Sequence, residues 1–387
     1  AYVAANQGCG NVIFELERDA FYFSIDRINP DQQDYHVRAE EGDGARPVIR
    51  SAPHPVDGNF DQIFYEFTGN IILEGLHISG ITTEGSQQDQ ALRTDAENLR
   101  VTVIDCLIEQ YRDRALRMNN VGTKAYFYDC IIRNMGEQTG GGVFVRVNKY
   151  CDTLVVNNCT LYNLNNYLFQ NVRNGLNYFE VTNNTFVNWA NSDYRGVDVG
   201  RSKEALIADN VFYNGAFRRN NTTHNPFFVA NDMTESDLPW NDTDRDIQIL
   251  NNNWYVDEEV AGIYDKYYDA ARDTLTREIE VIVGEDTTYQ EIPYKYIVGD
   301  VWIMDETLDT LYDGTPTLAL LQDSGVVTFE NNFREELTFT NPPAYPETYV
   351  SIMIENNWDD DLTDPIFEPL SIYNQLSDNM YWVEEEI

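Results

Sequence analysis

The sequence predicts an all-β chain wound as a right-handed parallel β-helix, a solenoid with an inserted lobe or cap. Three observations predict it. One short phrase recurs along most of the chain, its spacing clusters near 25 residues, and the strand-like runs have no helical half in each repeat.

The phrase reads LEGLHI at 73–78, IDCLI at 104–108, YDCII at 128–132, NNCTL at 157–161, TNNTF at 182–186, ADNVF at 208–212, LNNNW at 250–254, ENNF at 330–333 and ENNW at 355–358. Aligning the second member of its small or polar pair gives Gly75, Cys106, Cys130, Cys159, Asn184, Asn210, Asn252, Asn331 and Asn356. Successive spacings are 31, 24, 29, 25, 26, 42, 79 and 25. The modal value is about one coil of a parallel β-helix. A short alternating strand cannot bury its face alone, but the next coil stacked on it pairs the backbone and extends the core.

Like residues then lie over like. Small side chains at one internal corner form a ladder in which Asn amides hydrogen-bond along the stack. Ile78, Ile108, Ile132, Leu161, Phe186, Phe212, Trp254, Phe333 and Trp358 form the adjacent apolar ladder. A leucine-rich repeat would need a sustained LxxLxL phrase, which is absent.

Before the regular coils, VIFEL at 12–16, FYFSI at 21–25, YHVRA at 35–39 and PVIR at 47–50 read as strands of N-terminal rungs and a cap. Residues 1–254 therefore form the N-terminal and central coils. The period fails at 255–325, an insertion or lobe in which REIEVIVGEDTTYQEIPYKYIV reads as two strands about an acidic turn. Within it, 264–275 and 308–325 carry helical signals, and residues 326–387 return as C-terminal coils and cap.

Five cysteines is an odd number, and three of them share one phrase position, so buried reduced thiols are expected and a disulfide framework is not. The net charge of −39 is uneven: 7 basic and 17 acidic residues over 1–100, 13 and 11 over 101–220, 6 and 37 over 221–387. So acidic a surface repels nucleic acid and anionic membranes, and its simplest reading is a salt-adapted solvated face. No apolar run approaches the roughly 20 residues of a membrane span. The start AYVAANQGCG lacks a basic and apolar leader and reads as a mature or trimmed chain.

The phrases NCTLYN, NNTFVN and DNVFYN, with RAEEGDGARPVI and TDPIFEPL, resemble pectin-lyase-like β-helix surface proteins of the Bacteroidetes whose β-helix domains have no assigned function. The resemblance covers most of 12–254 and returns at about 326–370. It implies an extracellular or cell-surface protein that engages polysaccharide, either by binding it or as a lyase or glycoside hydrolase. The Lys and Arg beside a calcium-holding carboxylate cluster, seen in chondroitinase-type and alginate-lyase-type relatives, have no convincing counterpart here.

β-Elimination on a uronate requires neutralising a carboxylate and removing a proton beside it, so cations along one exposed strand face are the place to look. Aligning LRMNN at 116–120, VRVNK at 145–149, FQNVR at 169–173 and VDVGR at 197–201 puts Arg117, Arg146, Gln170 and Asp198 at one outward position. Lys149, Arg173 and Arg201 follow three residues later. Arg117, Arg146, Lys149, Arg173 and Arg201 are the ligand-binding candidates. Their competing reading is ordinary pairing with Asp198, Glu204 and nearby acids.

Tyr167, Tyr194 and His224 read as packed turn residues before they read as bases. Hydrolase chemistry would draw on Asp193, Asp198 and Asp209, although Asp209 sits on the repeat pair. No cofactor is required. NDTDRD at 241–246 and DDDLTD at 359–364 offer oxygens to calcium without EF-hand spacing, and a solvated acidic turn is preferred for both. The partner expected first is a polysaccharide. A structural rod that self-assembles through its ends or sides is the alternative from another class.

Overall fold

The computed structural model describes residues 12–28, 34–56, 58–136, 141–164, 166–170, 172–189, 197–215, 228–230, 233, 237–255, 276–283, 286–293 and 327–330. Among the described residues there is no α-helix, and parallel strands stack as a β-solenoid. Sheet A holds ten strands, from Val12–Leu16 to Val327–Glu330. Sheet B holds nine, from Phe21–Ser24 to Asn253–Tyr255, and sheet C five, from Ile63–Phe67 to Phe169–Gln170. The four runs before the regular coils are the first two rungs of sheets A and B.

The core is a set of in-register ladders. In sheet B, Ile49, Ile78, Ile108, Ile132, Leu161, Phe186, Phe212 and Trp254 lie one over the next. Phe186 and Phe212 stack with centroids 4.8 Å apart and planes 6° apart. Sheet A contributes Leu73, Val103, Phe127, Val156, Val181, Ile207 and Ile249 in one file, all without measurable exposure.

Between sheets A and B runs the expected internal column. Cys106, Cys130, Cys159, Asn184, Asn210 and Asn252 are all buried. Asn184 Oδ1 accepts from Cys159 N–H at 2.8 Å, and Asn210 Oδ1 accepts from Asn184 N–H and Nδ2–H at 3.0 Å each. Asn210 Nδ2 donates to Val181 O at 2.8 Å and Asn252 Oδ1 at 2.9 Å, and Asn252 Nδ2 donates to Ile207 O at 2.9 Å. Each Asn of the column thus satisfies a backbone N–H and a carbonyl that water cannot reach.

The thiols do the same more weakly. Cys130 N–H donates to Cys159 Sγ at 3.4 Å, and Cys130 Sγ donates to Tyr128 O at 3.1 Å. Cys106, Cys130, Cys151 and Cys159 are free and buried. Burial pushes the Cys106 thiol up, and pushes Cys151 to about 12.

Gly75 departs from the expected alignment. The pairing of His77 with Leu107 sets Leu76, not Gly75, opposite Cys106, and Leu76 N–H donates to Cys106 Sγ at 3.5 Å. Gly75, with φ +67°, stands one place earlier, in a corner column continued by Asp105, Asp129, Asn158, Asn183, Asp209 and Asn251 at φ +50° to +59°. The repeated pair divides the work. Its first member turns the chain through the left-handed region, which Gly, Asn and Asp tolerate, and its second points inward.

Strands Thr276–Val283 and Asp286–Pro293 form the antiparallel hairpin expected in the 255–325 segment, and Val327–Glu330 pairs with Asp246–Leu250 to resume sheet A. The expected helical segments at 264–275 and 308–325, and ladder positions Asn331, Phe333, Asn356 and Trp358, lie outside the described residues.

Replacing Asn210 by Ala strands Asn184 N–H, Val181 O and their neighbours in the dry interior, each costing about 1–3 kcal/mol. Chemical denaturation should show a loss of about 3 kcal/mol or more for Asn210→Ala. Asn251→Gly, which keeps the left-handed turn, should stay within about 1 kcal/mol of wild type. Equal losses would contradict the column's role.

Candidate functional site

Sheet C carries its polar residues in one file. Ladder pairing sets Glu66 beside Arg93, Arg93 beside Arg117, Arg117 beside Arg146 and Arg146 beside Gln170. The strands that hold them, Gln90–Thr94, Arg114–Met118 and Val143–Val147, share one pattern: buried residues and a single half-exposed arginine. Leu92, Leu116 and Val145, with Ala91, Ala115 and Phe144, are fully buried next to the file, so the arginines are anchored on packed rungs.

The charges divide into matched and unmatched. Glu66, almost buried, is held by Arg27 and lies 3.3 Å from Arg93 Nε, while Asp95 lies 3.8 Å from Arg93. At the strand entrances Asp61 pairs with Arg27, Asp89 with Arg112 and Asp113 with Arg114. Arg117 and Arg146 have no carboxylate partner among the described residues.

Unit charges one rung apart, ~4.8 Å, repel by about 1 kcal/mol even at the dielectric constant of water. Accordingly Arg117 is held below its ordinary pKa, first by burial and then by the charges of Arg114, Arg93 and Arg146. Arg93, Arg117 and Arg146 also keep a buried Nε, and Gln170 a buried Oε1, without a hydrogen-bond partner among the described residues.

The other cationic candidates are placed differently. Lys149 is exposed in the turn after Val143–Val147, Arg173 lies in the 3-10 turn Val172–Asn174, and Arg201 is half-buried after Val197–Gly200. No ladder pairing among the described residues joins these three. Asp198 departs from the sheet C file: it is 3% exposed, pairs with Val229 in a separate two-stranded sheet and accepts from Gly200 N–H at 2.8 Å. Sheet C ends at Phe169–Gln170, so the fourth aligned strand has no rung there to join.

Asp209 occupies the left-handed corner and accepts from Asn251 Nδ2 at 3.1 Å, a scaffold role. Tyr167 is half-buried, and its backbone N–H donates to Asn166 Oδ1 at 2.9 Å. Asp193, Tyr194, His224 and the 359–364 phrase lie outside the described residues. The 241–246 phrase holds the 3-10 turn Asp242–Asp244 and then a buried Arg245, whose guanidinium donates to Ser202 O and Gly200 O at 2.9 Å each. Among the described residues no three His, Cys, Asp or Glu side chains gather as a metal site.

Arg93 is missing from the expected set although a signal existed. DQALRT at 89–94 and DRALRM at 113–118 are the same phrase 24 residues apart.

A second polar row, on sheet B, was also missed. His77 Nε2 lies 2.6 Å from Glu109 Oε1, Arg133 Nε donates to Glu109 Oε2 at 2.7 Å, and Arg133 Nη1 donates to the Tyr162 hydroxyl at 2.9 Å. These residues stand on four successive rungs and their charges are matched, which makes the row a scaffold element rather than a second candidate site.

No known protein family, curated protein or solved structure matches the chain in sequence or fold comparison.

The sheet B row yields a stability prediction. Burial pushes the Glu109 carboxyl up, but the hydrogen bond and charge of His77 and the charge of Arg133 outweigh it and hold the group below its ordinary value. A depressed folded value stabilises fully above the unfolded pKa of about 4.3, and that contribution is lost as pH falls through the folded value. Glu109→Gln, which leaves Arg133 buried without its carboxylate, should cost about 3–5 kcal/mol at neutral pH and flatten the acid limb of stability against pH. Unchanged acid dependence in urea titrations of the variant would contradict the assignment.

Proposed function

We propose that this protein is a secreted or cell-surface β-helix of the pectin-lyase-like type that binds an acidic polysaccharide along the sheet C face. The observation that carries the reading is the pair of rung-adjacent arginines, Arg117 and Arg146, with no carboxylate partner among the described residues. A fold gains nothing by stacking such charges, whereas a bound anion converts the repulsion into charge-assisted hydrogen bonds. Planar guanidinium forks suit carboxylate or sulfate geometry, and packed rungs pre-organise them.

The acidity of the chain as a whole, a net charge of −39, disfavours long polyanions such as nucleic acid and favours a ligand that meets only the near-neutral middle coils. Lys149, Arg173 and Arg201 belong to this proposal as flanking contacts. Calcium would enter, if at all, as a bridge between ligand carboxylates and acidic loops, and nothing in the reading requires it.

Cleavage is a second reading, favoured by one observation: burial and the neighbouring arginines lower the Arg117 pKa, which makes the neutral, proton-accepting form of its side chain more accessible. Assembly into a rod is a third, favoured by the exposed Ile13, Phe21, Phe23 and Ile25 about the first rung.

Binding of polygalacturonate or alginate should weaken about ten-fold or more in Arg146→Ala and in Arg117→Ala, since one charge-assisted contact is worth about 1.5–3 kcal/mol. Thermal stability should be unchanged or slightly higher, because a repelling neighbour is gone. Titration at two salt concentrations checks the electrostatic share. Ultraviolet absorbance of an unsaturated product would establish the lyase reading. Absent binding, with sedimentation showing polymers, would replace the proposal by the rod.

A further inference from the structure

We propose that the outward face of sheet A docks a second copy of this chain, turned end for end, to form a closed two-fold dimer. The proposal concerns another sheet and stands apart from the reading of sheet C. Charges on this face are sorted along the axis. Ladder pairing sets Arg100, Lys124, Thr153, Tyr178, Glu204 and Asp246 in one outward file, and Ile72, Thr102, Tyr126, Val155, Glu180 and Leu206 in the next. The cations Arg100 and Lys124 thus stand on the fourth and fifth strands, and the acids Glu180, Glu204 and Asp246 on the seventh, eighth and ninth. Between them lies Cys151–Asn157, whose outward Thr153, Val155 and Asn157 carry no charge.

Little within the chain answers this sorting. Lys124 reaches Asp152 at 3.4 Å, and Arg100 lies over the Tyr126 ring, 4.7 Å from its centroid. Glu180 accepts from the Tyr178 and Thr182 hydroxyls at 2.6 and 3.0 Å, neither of which neutralises it. Among the described residues Arg100, Glu180 and Glu204 form no ion pair. Much of the remaining face is apolar: Ile72, Ile104, Tyr126, Tyr128, Leu206 and Leu250 all keep exposed surface, Ile72 at 37%. Apolar contact supplies affinity, and charge chooses the orientation.

A two-fold axis normal to the sheet, passing between Thr153 and Val155, carries the fifth strand of one copy onto the seventh of the other and the fourth onto the eighth. Lys124 then faces Glu180, and Arg100 faces Leu206 with Glu204 two residues along, within reach of a guanidinium. A copy laid the same way up would set cation on cation and acid on acid. Two chains of net charge −39 associate only where their charges are matched, which favours the end-for-end arrangement. Strands Tyr35–Ala39 to Val327–Glu330 overlap in it. At ~3.3 Å per residue and ~4.8 Å per rung this covers about 700 Å² per copy, close to the roughly 800 Å² of a standard interface.

Analytical ultracentrifugation of the intact protein should show a monomer–dimer equilibrium without higher species. Arg100→Glu and Glu204→Lys, both at exposed positions, should each weaken the dimer about ten-fold or more, because each reversal brings like charges together at two symmetry-related contacts. An equimolar mixture of the two variants should regain the dimer, since every contact then joins opposite charges again. Misfolded protein could not produce that recovery. A wild type that stays monomeric up to about 0.1 mM, polymers in place of dimers, an undiminished dimer in either variant, or a mixture that stays monomeric overturns the proposal.

Discussion

The whole structure depends on a corner that is locked twice. One residue per coil turns through the left-handed region, and the next sends an amide or thiol inward to bond the backbone of the neighbouring coil. A parallel stack has no hairpin to set its register, so a slip along the strand would be resisted only by packing. The bonds from Asn184 through Asn252 remove that freedom, because a displaced coil leaves several buried polar groups unpaired. Everything outside the core inherits the same register.

That inheritance explains how a scaffold makes a surface. Once coils are in phase, an outward residue repeated in the sequence becomes a file along the axis. Sheet B spends its outward positions on matched partners, Glu109 with His77 and Arg133, and Arg133 with Tyr162. Sheet C matches its charges at the strand entrances, then stacks Arg117 on Arg146 with no ion-paired carboxylate at either among the described residues. The same geometry therefore yields a matched row on one face and an unmatched one on another among the described residues, and the proposed ligand site lies on the second.

The sequence was informative where neighbouring coils repeat the same residue type. The Cys and Asn column, the Ile to Phe ladder and the alignment of Arg117, Arg146 and Gln170 could all be read because like stacks on like. Gly75 was misplaced by one position because a glycine can serve the corner while an apolar Leu76 serves the inside, and the phrase shows no polar pair to tell them apart. Asp198 was misplaced because sheet C stops one coil earlier, an ending that no local pattern announces. The row of His77, Glu109, Arg133 and Tyr162 was invisible for the opposite reason, since complementary residues on successive coils share no motif.

The central claim is that in-register stacking leaves Arg117 and Arg146 as a rigid anion receptor on sheet C. A crystal structure of the protein with a short oligogalacturonate tests it most directly. The account predicts carboxylates within hydrogen-bond distance of both guanidiniums, with the sugar chain running along the solenoid axis and the arginines unmoved from their rungs. A chain lying across the axis, a ligand bound on another face, or guanidiniums turned away to pair with acids of the protein itself would contradict it.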